Sequence, residues 1–208
     1  MPRGGEARTQ ARREEIISAC ETLYAQRAFK DVTIKDIGDL TSFTRTSIYN
    51  YFETREEIFL ALLGREYAGW TADLTALAAA EPRGVETLAR GLAESLDRRQ
   101  TMLRLMSTSL FEMEENSRVD ALAAFKQAFH AMLAALRACV SAHCPEADAE
   151  AFRFAFLPFV YGVYPYSTVT DKQRAAMERA GVDYVPPSVY DMVYRGARTI
   201  LQGLQNIE

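Results

Sequence analysis

Cysteine, histidine and glycine are scarce in this sequence, and each shortage removes a class of function. Three cysteines (Cys20, Cys139 and Cys144) in 208 residues cannot build a disulfide framework, which points to a reducing compartment. There are two histidines, and no glycine-rich phosphate loop, nucleophile elbow or distinctive carboxylate pair stands out. We therefore expect no enzyme, no catalytic residue and no cofactor. Cys139 and His143 stand four residues apart on one helix face with Cys144 beside them. A closed metal site needs a fourth ligand, and His130 lies more than two turns away, so no metal is expected. An apolar leader is missing from the N-terminus. The longest uncharged run, residues 154–170, contains two prolines and falls short of the roughly 20 residues that span a bilayer. A soluble, cytoplasmic protein without a membrane partner is expected.

What remains is apolar and helical. Hydrophobic residues make up 49% and charged residues 25%, ordinary proportions for a globular chain long enough to bury a sizeable core. Alternating β-branched runs are lacking and apolar residues recur at helical spacing, so the fold class is all-α. The net charge of −4 conceals an asymmetry: residues 1–55 hold nine Lys/Arg against eight Asp/Glu, and residues 56–208 fifteen against twenty. Arg3, Arg8, Arg12 and Arg13 form a basic arm against a single Glu6, which fits phosphate contact.

Residues 33–52 organise the rest. Ile34, Ile37 and Leu40 share one face of a short helix, capped by Thr33 with Asp36 in its first turn. Thr41, Ser42 and Phe43 break that period, Phe43 serving as an apolar plug. A second helix follows with Thr44 as its cap, and Ile48 and Phe52 point inward. Its outward residues are Arg45, Thr46, Ser47, Tyr49 and Asn50. This is a helix-turn-helix with a polar face on the helix that would enter a DNA groove.

The run Ile48-Tyr49-Asn50-Tyr51-Phe52, followed at once by Glu53-Thr54-Arg55-Glu56-Glu57-Ile58, resembles the TetR family of bacterial transcriptional repressors. The match covers about residues 16–63, under a third of the chain. Departures are Ser42 where the family usually has Gly, Leu40-Thr41 for a common Glu-Ala, and Arg55 for the usual Lys. The resemblance implies an N-terminal three-helix head, residues 1–63, joined by a continuous helix to a helical ligand-binding and dimerisation domain, residues 64–208. It also implies base and phosphate contacts from Arg45, Thr46, Ser47 and Tyr49. In chemical terms, Arg45 can bond a guanine edge with two parallel hydrogen bonds, and Tyr49 and Tyr51 can reach phosphate oxygens. Thr33 and Thr54 begin helices whose N–H groups attract phosphate, and Arg55 adds charge there.

Elsewhere Thr9 is expected to cap a first helix ending near Arg27, and Thr54 to Glu57 to form a capping box on a helix reaching Ala80. A Met- and Leu-rich segment covers 102–113 and a long helix 117–142. A helix from about Ala147 to Pro165 carries Pro158, which predicts a kink. Residues 168–187 form a long connection with a helical turn near 173–179. The last helix follows Ser188, with Val189, Val193, Gly196, Ile200, Gly203 and Ile207 as a narrow seam. Paired with the 147–164 helix, the seam residues Val189, Val193, Gly196, Ile200 and Gly203 predict a homodimer that reads a palindromic site.

Aromatics and methionines crowd the C-terminal part, and the default for any one of them is core. Together with the resemblance, Met106, Phe111, Phe125, Phe129, Phe156, Val160, Tyr161 and Tyr164 look like the walls of an apolar cavity with phenolic anchors. The expected partners are double-stranded operator DNA, a small, mostly apolar effector and a second copy of the chain. Three function classes stay open: a ligand-responsive repressor, a helical DNA- or partner-binding protein without small-molecule control, and a small all-α enzyme.

Overall fold

The computed structural model describes residues 3–205, with side chains from Glu6 onward, and Arg3's side chain and Ile207 lie outside the described residues. Among these residues every regular element is a helix: α1 Arg3–Tyr24, α2 Ile34–Gly38, α3 Arg45–Ile48, α4 Arg55–Ala78, α5 Val85–Asp97, α6 Gln100–Thr108, α7 Leu110–Glu115, α8 Val119–His143, α9 Ala149–Ser167, α10 Asp171–Ala180 and α11 Val189–Gln205. The all-α architecture is as expected. The chain divides into two compact units, Met1–Glu66 with Ser109–Phe129, and Tyr67–Thr108 with His130–Glu208. Helices α4 and α8 each contribute residues to both.

The first unit is built on α1. Ile16, Cys20 and Tyr24 form its buried stripe, and Ile37, Ile48, Phe52, Ile58, Phe59, Leu62 and Leu63 close around it. Tyr24 meets Phe59 edge-on at 5.3 Å, and Phe29 lies 4.5 Å from the same ring. Helix α1 begins at Arg3, so Thr9 sits inside it rather than capping it, and Arg8, Arg12 and Arg13 ride on a helix rather than on a free arm. At the far end of the unit, α7 and the start of α8 are tied to α4. Thr54 donates to the Asn116 carbonyl at 3.0 Å, and Arg55 donates to Glu112 at 3.3 Å.

In the second unit α11 packs against α5 and α9, and α6 against α9. Trp70, Leu74, Leu88, Leu92, Met102, Phe152, Phe156 and Val160 form its core. The one polar atom of the Trp70 indole is satisfied there, donating to Ser95 Oγ at 3.1 Å. Asp148 caps α9 through the N–H groups of Glu150 and Ala151, and α9 runs on past Pro158 and Pro165 to Ser167. The segment expected as a connection with a helical turn near 173–179 holds a full ten-residue helix, α10, with a Thr170–Gln173 capping box and left-handed Gly181 at its end. By length and composition α8 is long and apolar enough to cross a bilayer, and its Met132, Leu136, Cys139 and Val140 are buried.

Candidate nucleic-acid interface

The helix-turn-helix is set by short-range bonds. Thr33 Oγ accepts from the Asp36 N–H at 3.2 Å and the Asp36 carboxylate accepts from the Thr33 N–H at 2.9 Å, a reciprocal capping box on α2. Hydrogen bonds from Thr33, supported by Arg27 at 3.2 Å, hold the Asp36 carboxyl below its ordinary value. Gly38 lets α3 come close: a Cβ there would stand 3.1 Å from the Arg45 Cβ. Leu40 lies beyond the end of α2 and is half exposed, at 51%, so the expected apolar face ends with Ile37.

Thr44 occupies the N-cap position of α3 with extended backbone, but its hydroxyl pairs with Ser47 Oγ at 3.0 Å instead of capping a backbone N–H. Ile48 and Phe52 are buried beneath the helix. Thr33, Thr44, Arg45, Thr46, Tyr49 and Asn50 are exposed on it or beside it, and Ser47, Tyr51 and Thr54 are half-buried. The outward face therefore offers a guanidinium, hydroxyls, an amide and a phenol, the donor and acceptor set that reads base edges and phosphates.

Arg55 is placed otherwise than the sequence suggested. Its side chain is 23% exposed and turned inward, donating from Nε to Glu56 at 2.7 Å and from Nη1 to the carbonyls of Phe29 at 3.1 Å and Val32 at 3.4 Å. With Nη2 on Glu112 and the guanidinium 4.8 Å from the Phe29 ring, it is a clamp inside the unit rather than an outward phosphate ligand. Thr54 is likewise engaged, accepting from the Glu57 N–H at 3.2 Å. That is one half of the expected box; the reciprocal bond from Glu57 goes to the N–H of Glu53 rather than of Thr54.

Three α1 residues that the motif did not mark hold the reader at both ends. Glu15 accepts from the Ser42 N–H with one oxygen and from its hydroxyl with the other, at 3.1 Å. Arg12 lies over the Phe43 ring at 5.3 Å and donates to Tyr51 Oη at 3.4 Å. Arg13 donates to the Tyr51 carbonyl at 3.1 Å and lies over Phe52 at 4.4 Å. Ser42 keeps a negative φ, as every described non-glycine residue does, so the Ser in this turn carries no left-handed strain.

The residues expected to line an effector cavity fall in both units. In the first, Phe111 is 82% exposed, Phe125 is buried and Phe129 half-buried; in the second, Met106, Phe156 and Val160 are buried and Tyr161 and Tyr164 half-buried. Phe152 and Phe156 stack at 4.8 Å in that second core. Of the expected dimer seam, Val189 and Val193 lie inside the second unit's core. That interior placement removes them from any seam. Gly196 abuts the Phe159 ring within the chain, Gly196 and Ile200 are half-buried, and Gly203 is exposed. Among the described residues no cluster of His, Cys, Asp and Glu could hold a metal ion.

Residues 16–62 match the profile described as bacterial regulatory proteins, tetR family, and residues 64–208 match the tetracyclin repressor-like C-terminal domain. The chain belongs to the TetR family. Among curated relatives, this TetR-family chain is 30% identical over 60 residues to the HTH-type transcriptional repressor KstR2 of Mycolicibacterium smegmatis, 29% of either chain. The alignment thus spans less than a third of that relative's length. Solved structures extend the likeness along the whole fold. FadR of Bacillus subtilis, in complex with stearoyl-CoA, has a TM-score of 0.61 at 12% identity, over 91% of this chain and 98% of that one. FadR of Thermus thermophilus, in complex with lauroyl-CoA, has a TM-score of 0.56 at 20% identity, over 95% and 97%.

Proposed function

We propose that this TetR-family chain is a cytoplasmic transcriptional repressor, not an enzyme. In this reading it binds a palindromic operator as a homodimer and leaves it when a small, mostly apolar effector binds. The observation that carries this reading is the exposed polar face of α3 and of the turn that follows it, Arg45, Thr46, Tyr49 and Asn50, set on a helix-turn-helix in a chain of this family. DNA binding is assigned to residues 1–63, and effector binding and dimerisation to 64–208.

The dimer surface we assign is the outer face of α9. Phe154 is 77% and Tyr166 65% exposed, with Pro158 and Pro165 exposed between them. Phe159 of the same helix stands against Gly196 of α11, and exposed apolar area of this kind favours association. A two-fold dimer would present its reader helices about 34–36 Å apart, or a multiple of that.

For the effector, support comes from the half-buried phenols Tyr161 and Tyr164 beside a mostly apolar core. The two FadR proteins that share the fold were solved with acyl-CoA thioesters, compounds with a long apolar chain. The test is to select bound duplexes from a random pool, then to measure affinity for the selected duplex with and without lauroyl-CoA, stearoyl-CoA and the free fatty acids. Enrichment of a palindrome and its release by one of these compounds is the expected result. A selected duplex whose affinity no bound compound changes would instead support a DNA-binding protein without small-molecule control.

A further inference from the structure

The reader helix α3 is four residues long and buries Ile48 alone among them. A helix this short has little stability of its own, so its direction is dictated by what grips its flanks. Those grips come from one stretch of α1. Arg12 covers Phe43 before the helix, Arg13 bonds the Tyr51 carbonyl after it, and the Glu15 carboxylate takes both the amide and the hydroxyl of Ser42 in the turn.

Two of these grips are cationic and would also suit phosphate. The third is not. A carboxylate bonded to an exposed turn beside a DNA-facing helix repels phosphate over a range of about 8–10 Å at ordinary ionic strength. A neutral acceptor could cap the same amide without that penalty. We propose that Glu15 is a specificity-determining positioning residue. Its two bonds to Ser42 aim α3 at the base edges, and its charge opposes loose, sequence-independent binding. The inference rests on the DNA-binding reading above and adds a residue that touches no base.

The two roles give effects of opposite sign, which loss of folding cannot imitate. Removing the bonds weakens the selected site, because the side chains of α3 no longer meet base edges in register. Removing the charge strengthens binding to any other duplex, because one negative charge fewer faces the phosphates. Discrimination against wrong sequences then falls from both directions.

The experiment uses the full chain and two probes, the duplex that wild type enriches from a random pool and a scrambled duplex of the same composition. Glu15→Gln keeps a neutral acceptor for the Ser42 amide but loses the charge and the second accepting oxygen, and is expected to lose about fivefold in preference for the selected duplex, the difference between a charge-assisted and a neutral hydrogen bond. Its affinity for the scrambled duplex should rise about twofold at low salt. A second pool selection with this variant should return a broader base profile. Ser42→Ala keeps the amide bond and the charge, so it should lose part of the preference with no rise on the scrambled probe. In the double variant the two losses should not add, since both substitutions weaken one and the same contact. An unchanged ratio and base profile for Glu15→Gln overturns the proposal. So does an equal fall on both probes with a lowered melting temperature, the mark of a merely structural role. Should Glu15→Gln not fold, a wild-type ratio for Ser42→Ala overturns it. If wild type itself enriches no duplex, the DNA-binding reading fails and this inference with it; enrichment with an unchanged variant sinks this inference alone.

Discussion

Arg118 grips Glu57 with both ends of its fork, donating from Nε at 2.6 Å and from Nη2 at 2.8 Å, while its backbone N–H adds a third bond at 3.0 Å. Glu57 is buried in the first turn of α4, and Arg118 immediately precedes α8. The pair therefore hitches the α7–α8 turn to the helix that follows the reader. Replacing Arg118 with Ala leaves a buried carboxylate short of its main partner, and should lower the melting temperature of the first unit. Glu57→Gln keeps the shape and loses the charge, and should cost about 1.5–3 kcal/mol, the range for hydrogen bonds to charged groups. Denaturant melts of both variants check this.

Acid should undo the same contact. Burial pushes the Glu57 carboxyl up, but the Arg118 side chain and the N–H groups of Glu53 and Arg118 together outweigh it and hold the group below its ordinary 4.5. A carboxyl lowered in the folded state stabilises fully above its unfolded value, and that contribution disappears as pH falls through the folded value. Asp36, held down from 3.8 by Thr33, acts with the same sign. Stability should be flat down to about pH 5 and fall below pH 4.5, with a shallower acid limb in Glu57→Gln; identical limbs would count against the assignment.

Two arginines of the head should separate cleanly by assay. Arg45 is exposed on α3, so Arg45→Ala should cost about 1–3 kcal/mol of operator affinity and relax the preference at one base pair. Arg55 is clamped to Phe29, Val32, Glu56 and Glu112, so Arg55→Ala should destabilise the first unit by about 1–2 kcal/mol. The salt slope of DNA binding should stay as in wild type. A slope reduced by about one would restore Arg55 as a phosphate ligand.

The contrast between these residues shows what a sequence can disclose. Thr33 and Asp36 were readable as a cap because they lie three residues apart and meet nothing else first. Ile48 and Phe52 were readable as inward because helical period alone puts them there. Arg55 was not, since its partners Phe29 and Glu112 lie 26 and 57 residues away. The Ser42 departure was equally opaque: its answering carboxylate is 27 residues upstream, on a helix whose charges looked like a basic arm. Val189 and Val193 show a third limit. Periodicity found the apolar face of α11 but could not say whether α5 and α9 or a second copy would cover it. Helix α10 buries no residue, so no apolar period announced it, although Thr170, Gln173 and Gly181 stood at its ends.

Placing the dimer surface on α9 changes which substitution tests it. A Cβ on Gly196 would come within 2.5 Å of the Phe159 ring, so a large residue there would disturb the chain's own packing as well as any seam. Phe154 is the cleaner probe, being 77% exposed and outside the core. Phe154→Glu should leave the melting curve of the monomer intact and yield monomers by light scattering at micromolar concentration, with weakened binding to a palindromic duplex. A variant that scatters as a dimer would move the interface elsewhere.

Control by an effector makes the last demand, because a compound must prefer one of two conformations to move their balance at all. A 100-fold preference for the non-binding form is worth about 2.7 kcal/mol, a usual size for such coupling. In that reading helix α4 is the route, since it begins at Arg55, three residues beyond Phe52, and continues to Ala78 among residues of the second unit. The half-buried Tyr161 and Tyr164 are the polar anchors of that reading, and their loss should be felt by the compound before the fold. Tyr161→Phe and Tyr164→Phe remove one oxygen each and keep the ring, so DNA affinity without compound should match wild type. Binding of lauroyl-CoA or stearoyl-CoA, followed by thermal shift, should weaken by about three- to tenfold in whichever variant has lost an anchor. Release from the selected duplex should then require a proportionally higher concentration, because affinity and coupling are linked. If both variants bind and respond as wild type does, the phenols are not anchors. If wild type binds an acyl-CoA in the second unit and holds its operator unchanged, the coupling itself is absent and the chain binds DNA without small-molecule control.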